Sequence, residues 1–346
     1  MHKTSQAKLR ARCNALAQQD LAQVALAHVK TGERDLPLLL LEIERAARRQ
    51  KLETFVPGDL VKIADAFSRT GFGTLELFDE IDAGLQLRVH HLTHKEVATT
   101  AWAFATAKHA SPKLMDAIAM GPDQAGWAGN AQTVGFGVKT AWAFAAASHD
   151  AGLDFSQHLL DCAQSEMLSL DHVSLAQLHQ WMLWQRELGR DGDPSSPELV
   201  ERCHAAFCSE TPRASAFQRL VQSTISGFGI PGVEEEVLTE LGYFIDVVVE
   251  WRGKRIGVEA DGPSHFMRRR SRLREPKAST LLKRRQLTGL GGWCLVSIPY
   301  HEWPSKKAHA GQKSIRGEAQ SKDLALIKRQ REYLGKALSR AVASAS

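Results

Sequence analysis

From about residue 20 to residue 226 the apolar residues fall at helical spacing, and one pattern of them returns at nearly regular intervals. Asp59–Ile81 reads DLVKIADAFSRTGFGTLELFDEI, Glu96–Ile118 reads EVATTAWAFATAKHASPKLMDAI, and Val138–Leu160 reads VKTAWAFAAASHDAGLDFSQHLL. Phe67, Phe104 and Phe144 mark one place in this pattern, and Leu183 in QLHQWMLWQ continues it, at separations of 37, 40 and 39 residues. An earlier copy, VALAHVKTG, puts Gly32 39 residues before Gly71. A period near 39 with helical apolar spacing predicts one helix pair per repeat, stacked into a solenoid over residues 20–226.

Within each unit the first helix carries small and aromatic residues, as in Ala101, Trp102, Phe104 and Ala105, and the second carries Leu114 and Ile118 or Phe155 and Leu159. Trp102, Trp142 and Trp181 recur in register. Beside Ala and Phe at core spacing they read as inter-helix packing rather than as base-stacking platforms. The positions expected to face a ligand are polar ones that differ between copies: His94, Lys95, Thr99 and Lys139. Glycine-rich stretches at 121–137 and 189–197 read as surface loops, since neither follows the strand that a phosphate cradle needs.

Past a glycine break at Gly227–Gly232 the periodicity changes from helical to alternating. Tyr243–Phe266, YFIDVVVEWRGKRIGVEADGPSHF, predicts two strands around a turn at Arg252–Arg255. With Trp251 opposite Ile256, Val248 faces Glu259 and Asp246 faces Asp261, so Asp246, Glu259 and Asp261 converge on one face. Three like charges there require cations, a metal ion, raised pKa values or a solvated edge. The cation alternative is pairing with Arg255, Lys283, Arg285 or His265, which would hold the sheet to its helix. Around the hairpin the pattern predicts a helix at Val233–Leu241, a helix at about Ser279–Leu290 and a third strand at Trp293–Tyr300. This places a small α/β domain at 232–305, with a polar linker and a last helix at 306–346.

The formal net charge of +5 is modest but uneven. Arg268, Arg269, Arg270, Arg272, Arg274, Lys277, Lys283, Arg284 and Arg285 follow the hairpin with Glu275 as the one acid among them, which points to a polyanionic partner. Five scattered cysteines with no CxxC pair exclude a disulfide framework, and Cys203, His204 and Cys208 lack zinc-ligand spacing. No apolar run is long enough to span a membrane. The first nineteen residues hold Lys3, Lys8, Arg10 and Arg12 and no acid, as in an organelle transit segment or simply a first helix.

The segments IDVVV (245–249), GVEADGPSHF (257–266), TLLKRRQLTGLGGW (280–293) and VSIPYHEW (296–303) resemble a RAP domain, an RNA-binding module. The preceding repeats, with AWAFA twice, are similar to those of octotricopeptide-like and FAST-kinase-like proteins. The resemblance implies a mainly α chain, an N-terminal α-α helical-repeat solenoid followed by a small α/β, restriction-endonuclease-like RAP domain. It implies binding of single-stranded RNA in the stability, processing or translation of mitochondrial or chloroplast transcripts, the alternative location being the cytoplasm. Lys254, His265, Arg268, Arg269, Arg270, Arg272, Arg274, Lys283, Arg284 and Arg285 are then the expected RNA contacts, with no cofactor needed for binding and no membrane involved.

The RAP fold is in turn similar to PD-(D/E)xK nucleases of the very-short-patch-repair kind. On that pattern Asp246, Glu259 and Asp261 would hold Mg²⁺ or Mn²⁺, and Asp261 stands where the usual lysine belongs. Lys283 could supply the missing cation, making Asp246, Glu259, Asp261 and Lys283 the catalytic set of the alternative reading, a metal-dependent endonuclease. A second alternative is a solenoid that binds protein partners. His301 and Glu302 lie just past the third strand, where they reach the acid edge or cap the next helix, and Trp303 is expected in the core.

Overall fold

The computed structural model describes residues 2–31, 36–121, 127, 129–190, 196–209, 213–230, 232–267, 274–305 and 316–344. The chain divides into two compact units, Met1–Phe207 with Met267–Leu282, and Cys208–Phe266 with Lys283–Ser346. The described residues are mainly helical, with a small four-stranded sheet near the C-terminus.

The first unit contains α1 (His2–Ala15), α2 (Gln18–Thr31), α3 (Leu36–Arg49), α4 (Pro57–Thr70), α5 (Leu75–Leu85), α6 (His94–Ala107), α7 (Pro112–Ala119), α8 (Ala131–Ala147), α9 (Leu153–Ser165), α10 (His172–Glu187) and α11, which begins at Pro197. Helices α2, α4, α6, α8 and α10 pack each on the next, and α5, α7 and α9 pack behind α4, α6 and α8. Phe67, Phe104 and Phe144 are fully buried, each three residues before its helix ends. The helices then stop in left-handed residues, Gly71, Lys108 and Ser148. The phenylalanine carbonyls accept the terminating N–H groups: Gly71 on Phe67 at 2.9 Å, His109 on Phe104 at 3.0 Å and His149 on Phe144 at 2.9 Å. Phe104 meets Phe78 of α5, in the preceding pair, edge-on at 5.4 Å, and Phe144 meets Phe155 of α9, in its own pair, at 5.1 Å, so these rings both tie neighbouring helices together and mark the end of the first helix.

Starts are specified as clearly as ends. Thr93 with Glu96 and Asn130 with Thr133 form capping boxes at α6 and α8, and Thr74, Ser111 and Asp171 cap α5, α7 and α10. The basic N-terminal stretch is helix α1, packed on α3, with Arg10 donating to the buried Glu42 at 2.9 Å. Gly32, the anchor of the earliest repeat copy, lies outside the described residues.

The second unit contains α12 (Ala216–Ser226), β1 (Glu234–Leu238), β2 (Phe244–Trp251), β3 (Lys254–Asp261), the later part of α13 (Ala278–Gly289), β4 (Cys294–Pro299) and α14 (Arg316–Ser344). The sheet order is β1-β2-β3-β4, antiparallel except for β4, which runs parallel to β3. A parallel neighbour requires a crossover, and α13 lies in that connection. One face of the sheet, including Val247, Val249, Ile256, Val258 and Ile298, is covered by Val221 and Ile225 of α12 and by Leu334 and Leu338 of α14.

Three expectations change. The segment predicted as a helix at Val233–Leu241 contains strand β1, because Glu234, Glu235, Val237 and Leu238 pair with the otherwise open edge of β2, and tertiary pairing overrides local helix preference. The hairpin turn holds two residues, not four: Arg252 and Gly253 have φ of 52° and 76°, the combination that matches the twist of a tight hairpin. Trp251 therefore pairs with Lys254 and Val249 with Ile256, a shift of two positions from the predicted register. A shift of two preserves which side chains share a face, whereas a shift of one would have reversed it. Helix α12 packs with the sheet, so the division of units falls before it rather than at the Gly227–Gly232 break.

Phe144→Ala would leave a cavity between α8 and α9. The expected cost is about 3–5 kcal/mol, read as a lower denaturant midpoint by far-ultraviolet circular dichroism. An unchanged midpoint would show that this ring does not hold the pair.

Candidate functional site

Glu259 and Asp261 lie two apart on β3 and are 3 % and 1 % exposed. Such burial of charge is stable only with paired cations and hydrogen bonds. Lys283 Nζ of α13 donates to Glu259 Oε2 at 2.7 Å. The next residue, Arg284, donates from its guanidinium to Asp261 Oδ2 and, at 2.7 Å, to Ser297 Oγ. Ser297 of β4 donates to the same Asp261 oxygen, and His265 Nδ1 lies 3.2 Å from Asp261 Oδ1. Asp246 sits just beyond the last paired position of β2 and β3, where its Oδ2 accepts the Ala260 N–H at 2.7 Å.

The three acids respond differently to this environment. Burial pushes Glu259 up to about 7, outweighing the Lys283 charge, with Asp246 and Asp261 adding to the rise. Burial also raises Asp246, against the pull of Lys283 and the Ala260 N–H. Burial acts to raise Asp261 as well, but hydrogen bonds from His265 and Ser297 and the Arg284 charge outweigh it and hold this carboxyl below its ordinary value. Glu259 Oε1 and Arg284 Nε are buried with no hydrogen-bond partner among the described residues.

These carboxylates suit a divalent ion poorly as arranged. Lys283 holds one oxygen of Glu259, Arg284 and Ser297 share one oxygen of Asp261, and a backbone amide holds one of Asp246. Among the described residues no group of three His, Cys, Asp or Glu side chains is placed to hold a metal ion. Lys283 is the charge partner of Glu259, and Arg284 that of Asp261.

The other expected site residues are dispersed. His265 joins the acids, whereas Lys254 stands at the opposite end of β3, its Nζ 3.5 Å from the Val342 carbonyl of α14. Lys254 is thus separated from Asp261 by the length of the strand, because the shorter turn makes it the first residue of β3. Arg255 pairs with Glu234 at 2.9 Å and stacks over Trp293, so it does not serve the acids. Arg285 is half-buried in α13, and Arg274 is exposed. Arg268, Arg269, Arg270 and Arg272 lie outside the described residues. Glu302 accepts from Tyr333 at 3.0 Å, His301 packs edge-on to Phe266, and Trp303 is buried between Phe217 and Tyr333. Ser297 is the residue that sequence reasoning missed. Its signal was a single hydroxyl inside the apolar run CLVSIP.

Residues 258–312 match the family model of the RAP domain, a domain that is generally RNA-binding. The matched segment begins on β3 and takes in Glu259, Asp261, α13 and β4.

A carboxyl whose native pKa exceeds its unfolded value binds more protons in the folded chain, so its contribution is full below the unfolded value and is lost as pH rises through the native one. For Glu259 this window runs from the ordinary 4.5 to about 7. Stability of this unit should therefore fall between those pH values in the wild type, with Asp246 acting in the same direction and Asp261 opposing at lower pH. Thermal melts of Glu259→Gln across this range should show a flatter profile. An identical profile in the variant would contradict the assignment.

Proposed function

We propose that this protein binds single-stranded RNA, with the RAP domain contacting phosphate and the stacked helices holding the strand, and that it acts on organellar transcripts in their stability, processing or translation. The RAP match over 258–312 carries the reading, because the same stretch contains the arginine run from Arg268. Lys and Arg clusters supply the salt-dependent part of RNA affinity, and helical arrays provide extended surfaces for a strand. Support for an organellar role comes from the repeat and motif resemblance.

The charge pairing at the acids favours binding over cleavage. A nuclease of the PD-(D/E)xK kind needs carboxylate oxygens directed at a metal and a water, and here ammonium, guanidinium and hydroxyl groups occupy Glu259 Oε2 and Asp261 Oδ2. The acids then serve to anchor α13, whose basic residues belong to the matched segment.

Arg268→Ala/Arg269→Ala/Arg270→Ala in the full chain should weaken binding to all single-stranded RNAs by tenfold or more. It should also reduce the slope of log affinity against log salt by about 2, from about 0.7 per phosphate contact. Filter binding at several salt concentrations measures both, and sequencing of RNA crosslinked in cells identifies the transcripts. An unchanged slope would remove the arginine run from the interface, and failure of the wild-type chain to bind RNA would overturn the reading.

A further inference from the structure

Within the first unit, helices α4, α6 and α8 and residues 277–279 line a groove of about 950 Å³. Its polar lining is strongly one-signed. Arg69, Lys95, Lys139 and Lys277 face it, and the lone acid, Asp65, is already bonded by Arg69 Nε at 2.7 Å. Among the described residues no carboxylate is paired with Lys95, Lys139 or Lys277. Three ammonium groups thus share one groove with a single carboxylate, Asp65, which is bonded by Arg69 and also pulls on Lys139, and the excess of positive charge favours an anion supplied from outside.

An aromatic surface lies among these charges. The Arg69 guanidinium sits 4.9 Å and the Lys139 ammonium 5.4 Å from the centre of the Trp102 ring. Trp102 is partly exposed, while its counterparts are spent on packing: Trp181 is buried, and Trp142 is buried with its Nε1 donating to Gln180 at 2.8 Å. All three tryptophans pack in or against the helical core, as expected, and Trp102 alone of the three also keeps part of its ring exposed. Lys95, Thr99 and Lys139, the variable polar positions of the repeats, line the same groove. Burial lowers the Lys139 pKa, aided by Arg69 and Lys95 and opposed by Asp65, which is the strain an incoming anion would relieve.

We propose that this groove is a nucleotide subsite for single-stranded RNA, with an unpaired base against Trp102 and its flanking phosphates on Lys95, Lys139 and Lys277. The proposal rests on the RNA-binding reading and adds to it a site in the helical unit separate from the arginine run. The volume is at the upper end of small-molecule clefts, which suits one or two splayed nucleotides and not a duplex. Basic side chains interleaved with an aromatic face are the chemistry by which single strands are held with little sequence preference. An acidic peptide would satisfy the charges but leave the ring unused.

The test uses the full chain and a fluorescein-labelled 12-nucleotide single-stranded RNA of mixed sequence, with polyglutamate as competitor. Lys95→Ala/Lys139→Ala should weaken binding about tenfold and reduce the salt slope by about 1.4, two contacts at about 0.7 each. Trp102→Leu should weaken it about tenfold, while Trp102→Phe, which keeps a ring, should retain most of the affinity. Ultraviolet crosslinking of the wild-type complex should place RNA on peptides of α6 and α8, a readout independent of whether the variants fold. The proposal is overturned if these peptides are not crosslinked, or if the lysine pair binds as wild type while the arginine triple variant is weakened. Competition by polyglutamate as effective as unlabelled RNA would instead make the groove a site for acidic protein. No RNA binding by the wild-type chain would overturn this proposal together with the reading beneath it.

Discussion

Two buried carboxylates on one strand, Glu259 and Asp261, require two cations at matching spacing, and consecutive residues of one helix, Lys283 and Arg284, provide them. Charge in a low-dielectric interior has few acceptable arrangements, so these pairs dictate where α13 lies against β3. Because β4 runs parallel to β3, the connection between them has to cross the sheet, and the crossover helix is where the cations sit. Ser297 of β4 then closes the network on Asp261. Removing Lys283 would take away the cation that opposes the burial of Glu259, and removing Arg284 would leave Asp261 to Ser297 and His265.

The helical unit is built on a different constraint. Each successive helix ends three residues after a buried phenylalanine, in a left-handed residue whose position is set by the carbonyl of that phenylalanine. The histidines that follow, His109 and His149, lie at 2.8 Å from Asp79 and 3.3 Å from Asp116 on the helix behind the preceding pair. The repeated phenylalanine thus sets both the length of the first helix and the place where the second begins. With packing assigned to Phe67, Phe104 and Phe144, residues on the other side of α4, α6 and α8 are released for a polar groove.

Much of this was legible in the chain, and what was not has identifiable causes. The strands β2, β3 and β4 and helix α13 fall within one or two residues of their predicted bounds, since Val and Ile alternation and helical spacing are strong local signals. The convergence of Asp246, Glu259 and Asp261 survived an incorrect register because the error was two residues, which conserves the face. Strand β1 was hidden because three consecutive glutamates carry no alternation, and its partner edge is formed elsewhere in the chain. The same limit applies to Trp102 and Trp142. Their local sequences are nearly identical, and the difference comes from neighbouring helices: Gln180 bonds the buried Trp142, whereas Arg69 and Lys139 lie over the partly exposed Trp102.

The central proposal is that side-chain cations rather than a metal ion balance Asp246, Glu259 and Asp261, and that the unit serves as a scaffold for RNA. Titration calorimetry with Mn²⁺, run on the wild-type chain and on Asp246→Asn/Glu259→Gln, tests this most directly. The account predicts no saturable site that the double substitution removes, and the same RNA affinity in Mg²⁺ as in EDTA at matched ionic strength. A Mn²⁺ site present in the wild type and lost in the variant, accompanied by RNA cleavage, would contradict it.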